Sequence, residues 1–194
     1  MTMRQARGAT LIAALALAGC GGGSRSTPAS TSAEPAKSSL QSIVLESPAM
    51  AGSEAIPTRY TCDGRDVSPP LRWRLVPPAT RELLLLVLSV NPRAGTRTVE
   101  GNTVEWAVAG LRPRLHGLAE GRLPRGAIVG RNARGRTRYG ICPPKGEPAA
   151  YLILLFASPS RLSLPPDFSD EALFAELSRL KPPYGQISAT YTRA

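Results

Sequence analysis

Six consecutive apolar residues, Leu83-Leu84-Leu85-Leu86-Val87-Leu88, follow Arg81-Glu82 and are closed off by Asn91-Pro92. So short a run between polar bounds predicts a strand buried on both faces, because a core helix would run longer. Tyr151-Leu152-Ile153-Leu154-Leu155-Phe156 has the same form and predicts a second such strand. Thr103-Val104-Glu105-Trp106-Ala107-Val108 alternates only in part. Ile43 and Leu45 near the start of this region, and Ile187, Ala189 and Tyr191 near its end, alternate with polar residues as half-buried strands do.

One segment has helical spacing. Asp170 and Glu171 suit a first turn, Leu173, Phe174, Leu177 and Leu180 fall on one face, and Pro182-Pro183 ends the pattern. Nineteen prolines and eighteen glycines punctuate the remainder, which predicts long, Pro-structured loops. The class is therefore mainly β, with one or two helices. No internal repeat is visible.

The N-terminal segment follows another pattern. Arg4 and Arg7 precede a short apolar stretch, residues 9–18, and then Leu17-Ala18-Gly19-Cys20. The stretch is far below the roughly 20 residues a membrane-spanning helix needs, so the layout reads as a secretory signal. Its ending resembles a bacterial lipobox, which would make Cys20 the lipidated first residue of the mature protein. Acyl chains anchor by about 0.8 kcal/mol per buried CH₂. Residues 21–41 are rich in Gly, Ser, Thr, Pro and Ala, too poor in apolar groups to offset ordering entropy. The expected organisation is a signal peptide over 1–19, a lipidated cysteine and linker over 20–41, and one domain over 42–194. The expected location is the cell envelope, held by lipid to a bacterial membrane and facing the periplasm or exterior.

Composition removes several kinds of chemistry. One histidine and three cysteines leave no material for a zinc ribbon or a His-rich metal site. His116, in Leu115-His116-Gly117-Leu118, has no visible partner and reads as a loop residue. Ser178-Arg179-Leu180-Lys181 fits S-x-x-K, but it closes a helix instead of opening one, and S-D-N and K-T-G are absent. No catalytic residue, metal or cofactor is expected.

The formal charge is +10, and residues 112–138 hold eight arginines against the single Glu120. Such a stretch suits phosphate-bearing surfaces. Aromatic content of 5% supplies few stacking platforms, so nucleic acid is not an expected partner. A solvated face that tolerates an anionic membrane is the favoured reading. For Cys62 and Cys142 two readings stay open: a disulfide, as an oxidising compartment allows, or two separate buried thiols.

The stretch Ser47-Pro48-Ala49, with Ile56-Pro57-Thr58-Arg59-Tyr60-Thr61-Cys62-Asp63-Gly64-Arg65-Asp66-Val67-Ser68-Pro69-Pro70-Leu71-Arg72-Trp73, resembles the bacterial branch of the phosphatidylethanolamine-binding, or Raf kinase inhibitor-like, family. The similarity continues through Leu83–Leu88, Trp106, Tyr139-Gly140, Cys142-Pro143-Pro144 and Tyr151. The resemblance implies a central antiparallel sheet packed on a smaller sheet, with short peripheral helices. It also implies a small pocket for anions such as phosphate, acetate or a phospholipid head group.

The departures from the family pattern fall on that pocket. Its D-P-D-x-P loop is Asn91-Pro92-Arg93-Ala94-Gly95 here, and its V-H-W is Val104-Glu105-Trp106. Its G-P-C-P-P is Ile141-Cys142-Pro143-Pro144, and a further histidine is Ala149. Pro92, Trp106, Tyr139 and Tyr151 are kept. Arg93 and Glu105 thus reverse the usual charge sense, and the expectation is that they pair inside the former pocket. Candidate ligand-binding residues are Asn91, Arg93, Glu105, Trp106, Tyr139 and Tyr151. The expected function is non-catalytic binding of a small anion or phospholipid head group at the envelope. The alternative is a protein-interaction or inhibitor module, with a protein partner held by surface loops.

Overall fold

The computed structural model describes residues 43–90 and 101–194. Cys20, the linker and the Asn91–Gly95 segment lie outside the described residues, and with them Asn91 and Arg93.

Two antiparallel sheets form the body. The larger has the order β6-β4-β3-β7-β8, built from Ile128–Val129, Thr103–Leu111, Glu82–Ser89, Pro148–Ser158 and Tyr184–Thr192 respectively. The smaller pairs β1 (Val44–Glu46), β2 (Leu71–Arg74) and β5 (Gly117–Leu118). The Leu83–Leu88 run is the middle strand, β3, and every residue in it is at most 1 % exposed. Period-2 alternation divides it. Leu83, Leu85 and Val87 face the core between the two sheets, with Leu45, Leu71, Trp73 and Leu118. Leu84, Leu86 and Leu88 face a second core, closed by Phe168, Leu173 and Leu177. A strand covered on both faces cannot carry polar residues, which is why the run is continuous.

The helix, α1, spans Asp170–Leu180, and Ser169 caps it by accepting from the Ala172 N–H. Leu173 and Leu177 are buried while Phe174 and Leu180 are half-buried, as the spacing predicts. Lys181 ends the helix in a left-handed conformation ahead of Pro182. Strand β8 holds Ala189 and Tyr191 inward.

Strand β4 explains its own imperfect alternation. Val87 stands opposite Trp106, yet the next residue, Leu88, stands opposite Val104. Glu105 is therefore the extra residue of a β-bulge. Such an insertion turns a side chain toward a face that strict alternation would deny it.

Candidate functional site

Glu105 and Trp106 share the inter-sheet side of β4 because of that bulge. Trp106, 3 % exposed, packs edge-on against Tyr139 with ring centroids 5.4 Å apart. Tyr151, 1 % exposed, stands opposite Ser89 across the β3–β7 pair. Four of the expected site residues, Glu105, Trp106, Tyr139 and Tyr151, thus gather at one end of the large sheet.

Arg93, the expected partner of Glu105, lies outside the described residues, and among them the cation beside Glu105 is Arg134. Its Nη1 lies 3.3 Å from Glu105 Oε2, outside hydrogen-bonding geometry. The same guanidinium donates to the carbonyls of Gly140 (3.0 Å) and Cys142 (2.9 Å). The arginine is held there by a loop wound around buried Asn132. Asn132 Oδ1 accepts from the N–H groups of Arg134 and Arg136, both at 3.0 Å, and its Nδ2 donates to the Arg138 carbonyl. The second carbonyl partner is fixed by a disulfide. Cys62 and Cys142 are bridged, with Cα atoms 5.2 Å apart, and the Cys62 N–H donates to the Ile141 carbonyl. Of the two readings of these cysteines, the bridge is the one found.

Asp66 completes the cluster. It sits at a left-handed φ of 49°, and Arg138 approaches its carboxylate to 4.0 Å. A methyl group placed on Gly140 would lie 3.5 Å from both Arg134 Nη1 and Asp66 Oδ2. Arg134 and Asp66 therefore flank the same spot above Gly140.

Electrostatics follow from burial. Desolvation holds the Glu105 carboxyl above the usual carboxylate range, opposed by Arg134 and by a hydrogen bond from Ser89. Burial likewise raises both Tyr139 and Tyr151 above an ordinary phenol. The two tyrosines differ in commitment. Tyr139 Oη donates to the Tyr60 carbonyl at 2.8 Å and so braces the loop that carries Cys62. Among the described residues, Tyr151 Oη, Glu105 Oε2 and Asp66 Oδ1 are buried without a hydrogen-bond partner. A buried polar atom left in that state costs free energy that an incoming donor or acceptor recovers. The set can accept from an ammonium or hydroxyl at the two carboxylates, donate from Tyr151, and face a negative group with Arg134.

Sequence reasoning named Glu105, Trp106, Tyr139 and Tyr151 but not Arg134, Asp66 or Asn132 as site residues. Arg134 is one of eight arginines in its stretch, and no local signal separates it from the others. Asp66 lay within the stretch that carries the family resemblance. Among the described residues, no group of acids, histidines and cysteines could hold a metal ion. No helix there is long and apolar enough to cross a membrane.

Comparison with known proteins agrees with this architecture. The phosphatidylethanolamine-binding protein family pattern matches residues 46–192. A Mycobacterium tuberculosis protein named "Putative lipoprotein LppC" is 36% identical over 169 residues, covering 81% of each chain. A UPF0098 protein of Methanothermobacter thermautotrophicus is 38% identical over 122 residues, 60% of this chain and 76% of its own. Among solved structures, the PEBP homologue CT736 of Chlamydia trachomatis superposes with a TM-score of 0.68 at 27% identity, over 79% of this chain and 99% of that one. Escherichia coli YbcL shares the fold at the same TM-score and 23% identity, with the same coverage. The matched span includes the whole of the larger sheet, β2 and β5 of the smaller one and every described residue of the cluster around Glu105, and the chain belongs to the phosphatidylethanolamine-binding protein family.

Proposed function

We propose that this protein is a lipid-anchored binding protein of a bacterial envelope, and that the Glu105–Arg134 cluster receives a small phosphate-bearing head group. The anchor is Cys20, in Leu17-Ala18-Gly19-Cys20, and the name of the M. tuberculosis relative supports it. The observation that carries the binding reading is the set of buried oxygens on Glu105, Asp66 and Tyr151 that make no hydrogen bond among the described residues, beside a half-exposed arginine. Acceptors next to a guanidinium suit a zwitterion. The ammonium of phosphoethanolamine would meet the carboxylates, and its phosphate would meet Arg134. Phosphate or acetate alone would use only the arginine side.

The reading is non-catalytic. His116, the chain's one histidine, is exposed and lines a groove at the far end of β3, so the cluster has no imidazole base. Thermal shift with phosphoethanolamine, phosphate and acetate tests the proposal. A ligand at a hundred times its Kd should stabilise by about 2.7 kcal/mol. Phosphoethanolamine should give the largest shift, and Arg134→Gln should lower it by half or more. Equal silence from all three, or turnover of esters or phosphoesters that Glu105→Gln removes, would overturn the reading.

A further inference from the structure

A strongly cationic feature of the described residues lies away from this cluster. Six arginines, Arg74, Arg81, Arg112, Arg114, Arg125 and Arg161, line a groove of about 1210 Å³. They come from the end of β2, the start of β3, the loops on either side of β5, and the segment after β7. No single stretch of sequence holds them, so the convergence is a product of the fold. Among the described residues Glu82 is the one acid in the lining, and both its oxygens are occupied, by the N–H groups of Gly110 (2.8 Å) and Leu162 (3.2 Å). Arg74 pairs with Glu46, but among the described residues the other five make no ion pair.

The groove and the Glu105 cluster sit at opposite ends of one strand. Glu82 begins β3 beside the groove, and Ser89 ends it beside Glu105. Seven residue steps at about 3.3 Å place them roughly 23 Å apart.

The groove wall also carries an apolar group facing water. Leu75 is 67% exposed and held at a left-handed φ of 61°, a conformation that β-carbon sterics disfavour. Pro77 and Pro78 follow it along the same wall. Among the described residues, no Phe, Tyr or Trp lines the groove and its one ring is the His116 imidazole, so it lacks the run of stacking platforms that single-stranded nucleic acid uses. Arginines around a protruding leucine, five of the six without an ion pair among the described residues, match a lipid interface, where cations meet phosphates and the apolar group enters the acyl boundary.

We infer that this arginine groove is a docking face for an anionic membrane surface, with Leu75 as its inserted residue. Docked in this way, the body would lie groove-down, with the Glu105 cluster at the end of β3 away from the docked surface. The inference does not depend on what the Glu105 cluster binds.

The test is co-sedimentation of the full chain carrying Cys20→Ser, which blocks acylation, with phosphatidylcholine vesicles with and without phosphatidylglycerol. Phosphatidylcholine alone gives the baseline contributed by the apolar leader. The anionic lipid should raise binding strongly at low salt, and added salt should weaken it. Arg112→Gln with Arg114→Gln should lower the anionic-vesicle affinity by about 25-fold, at about fivefold per arginine. Leu75→Gly should also lower it without loss of folding, because glycine accepts the left-handed backbone. Arg131→Gln with Arg136→Gln, an equal charge change outside the groove, should leave it nearly unchanged. Equal losses from both arginine pairs would mean diffuse charge and would overturn the inference. So would tighter binding to a short RNA than to phosphatidylglycerol vesicles at matched phosphate. Phosphoethanolamine shifts in the Arg112→Gln/Arg114→Gln protein should match wild type, which separates failure of this inference from failure of the head-group reading.

Discussion

Glu105 Oε2 and Arg134 Nη1 lie 3.3 Å apart, joined across 29 residues by a bulge in β4 and a loop wound around Asn132. The pair is asymmetric. The Glu105 side chain is 8% exposed and Arg134 30%, so burial acts mainly on the acid while the arginine keeps one side toward solvent. That asymmetry makes the arginine the natural point of contact for an incoming anion.

Removing the arginine should expose the pair's internal balance. Arg134→Gln leaves a buried carboxylate without its cation and weakens two carbonyl bonds, at a cost of about 2 kcal/mol. In a Glu105→Gln background the same change should cost about 1 kcal/mol less. Urea unfolding of the four proteins in this cycle measures the coupling, and strictly additive losses would show that the two side chains do not interact.

The raised Glu105 pKa sets a direction in pH. The folded protein holds this proton to higher pH than the unfolded chain does, so the associated stability is complete below about pH 4.5 and is lost as pH rises through the folded value. Glu105→Gln removes this dependence. The stability of wild type relative to Glu105→Gln should therefore fall as pH rises above about 4.5. A difference that grows with pH would mean that Arg134 outweighs desolvation.

The Cys62–Cys142 bridge closes a long loop and fixes the carbonyl that Arg134 uses. The chain-entropy account gives about 4 kcal/mol for such a closure. Cys62→Ala with Cys142→Ala should lower unfolding stability by about that amount and should also weaken head-group binding. Stability loss with fully retained affinity would separate the disulfide from the site.

Gly140 allows a test with little structural cost. A methyl there meets Arg134 and Asp66 at ordinary contact distance, and the backbone needs no positive φ. Gly140→Ala should keep stability within about 0.5 kcal/mol while lowering affinity for phosphoethanolamine, read by titration calorimetry. Unchanged affinity would place the ligand elsewhere.

What was legible in the sequence follows from what is local. The Leu83–Leu88 run announced a doubly covered strand because both cores demand apolar residues at consecutive positions. The helix announced itself through Leu173 and Leu177 and its terminal prolines. Trp106, Tyr139 and Tyr151 were reached through family resemblance, and the structure brings them together with Glu105. The bulge was visible only as broken alternation around Glu105, because an inserted residue has no composition of its own. Arg134 was illegible among its neighbours, since its selection depends on Asn132 and on carbonyls fixed by a distant disulfide. The two-residue strands β5 and β6 carry too little pattern to be read at all. The arginine groove was missed as a place because its members come from separate segments.

The most direct test of the account is calorimetric titration of phosphoethanolamine into wild type, Glu105→Gln and Arg134→Gln. Saturable one-to-one binding by wild type, with each substitution weakening it by about tenfold or more, is the predicted result, a loss of about 1.4 kcal/mol per contact. Binding of equal strength in all three proteins would contradict it.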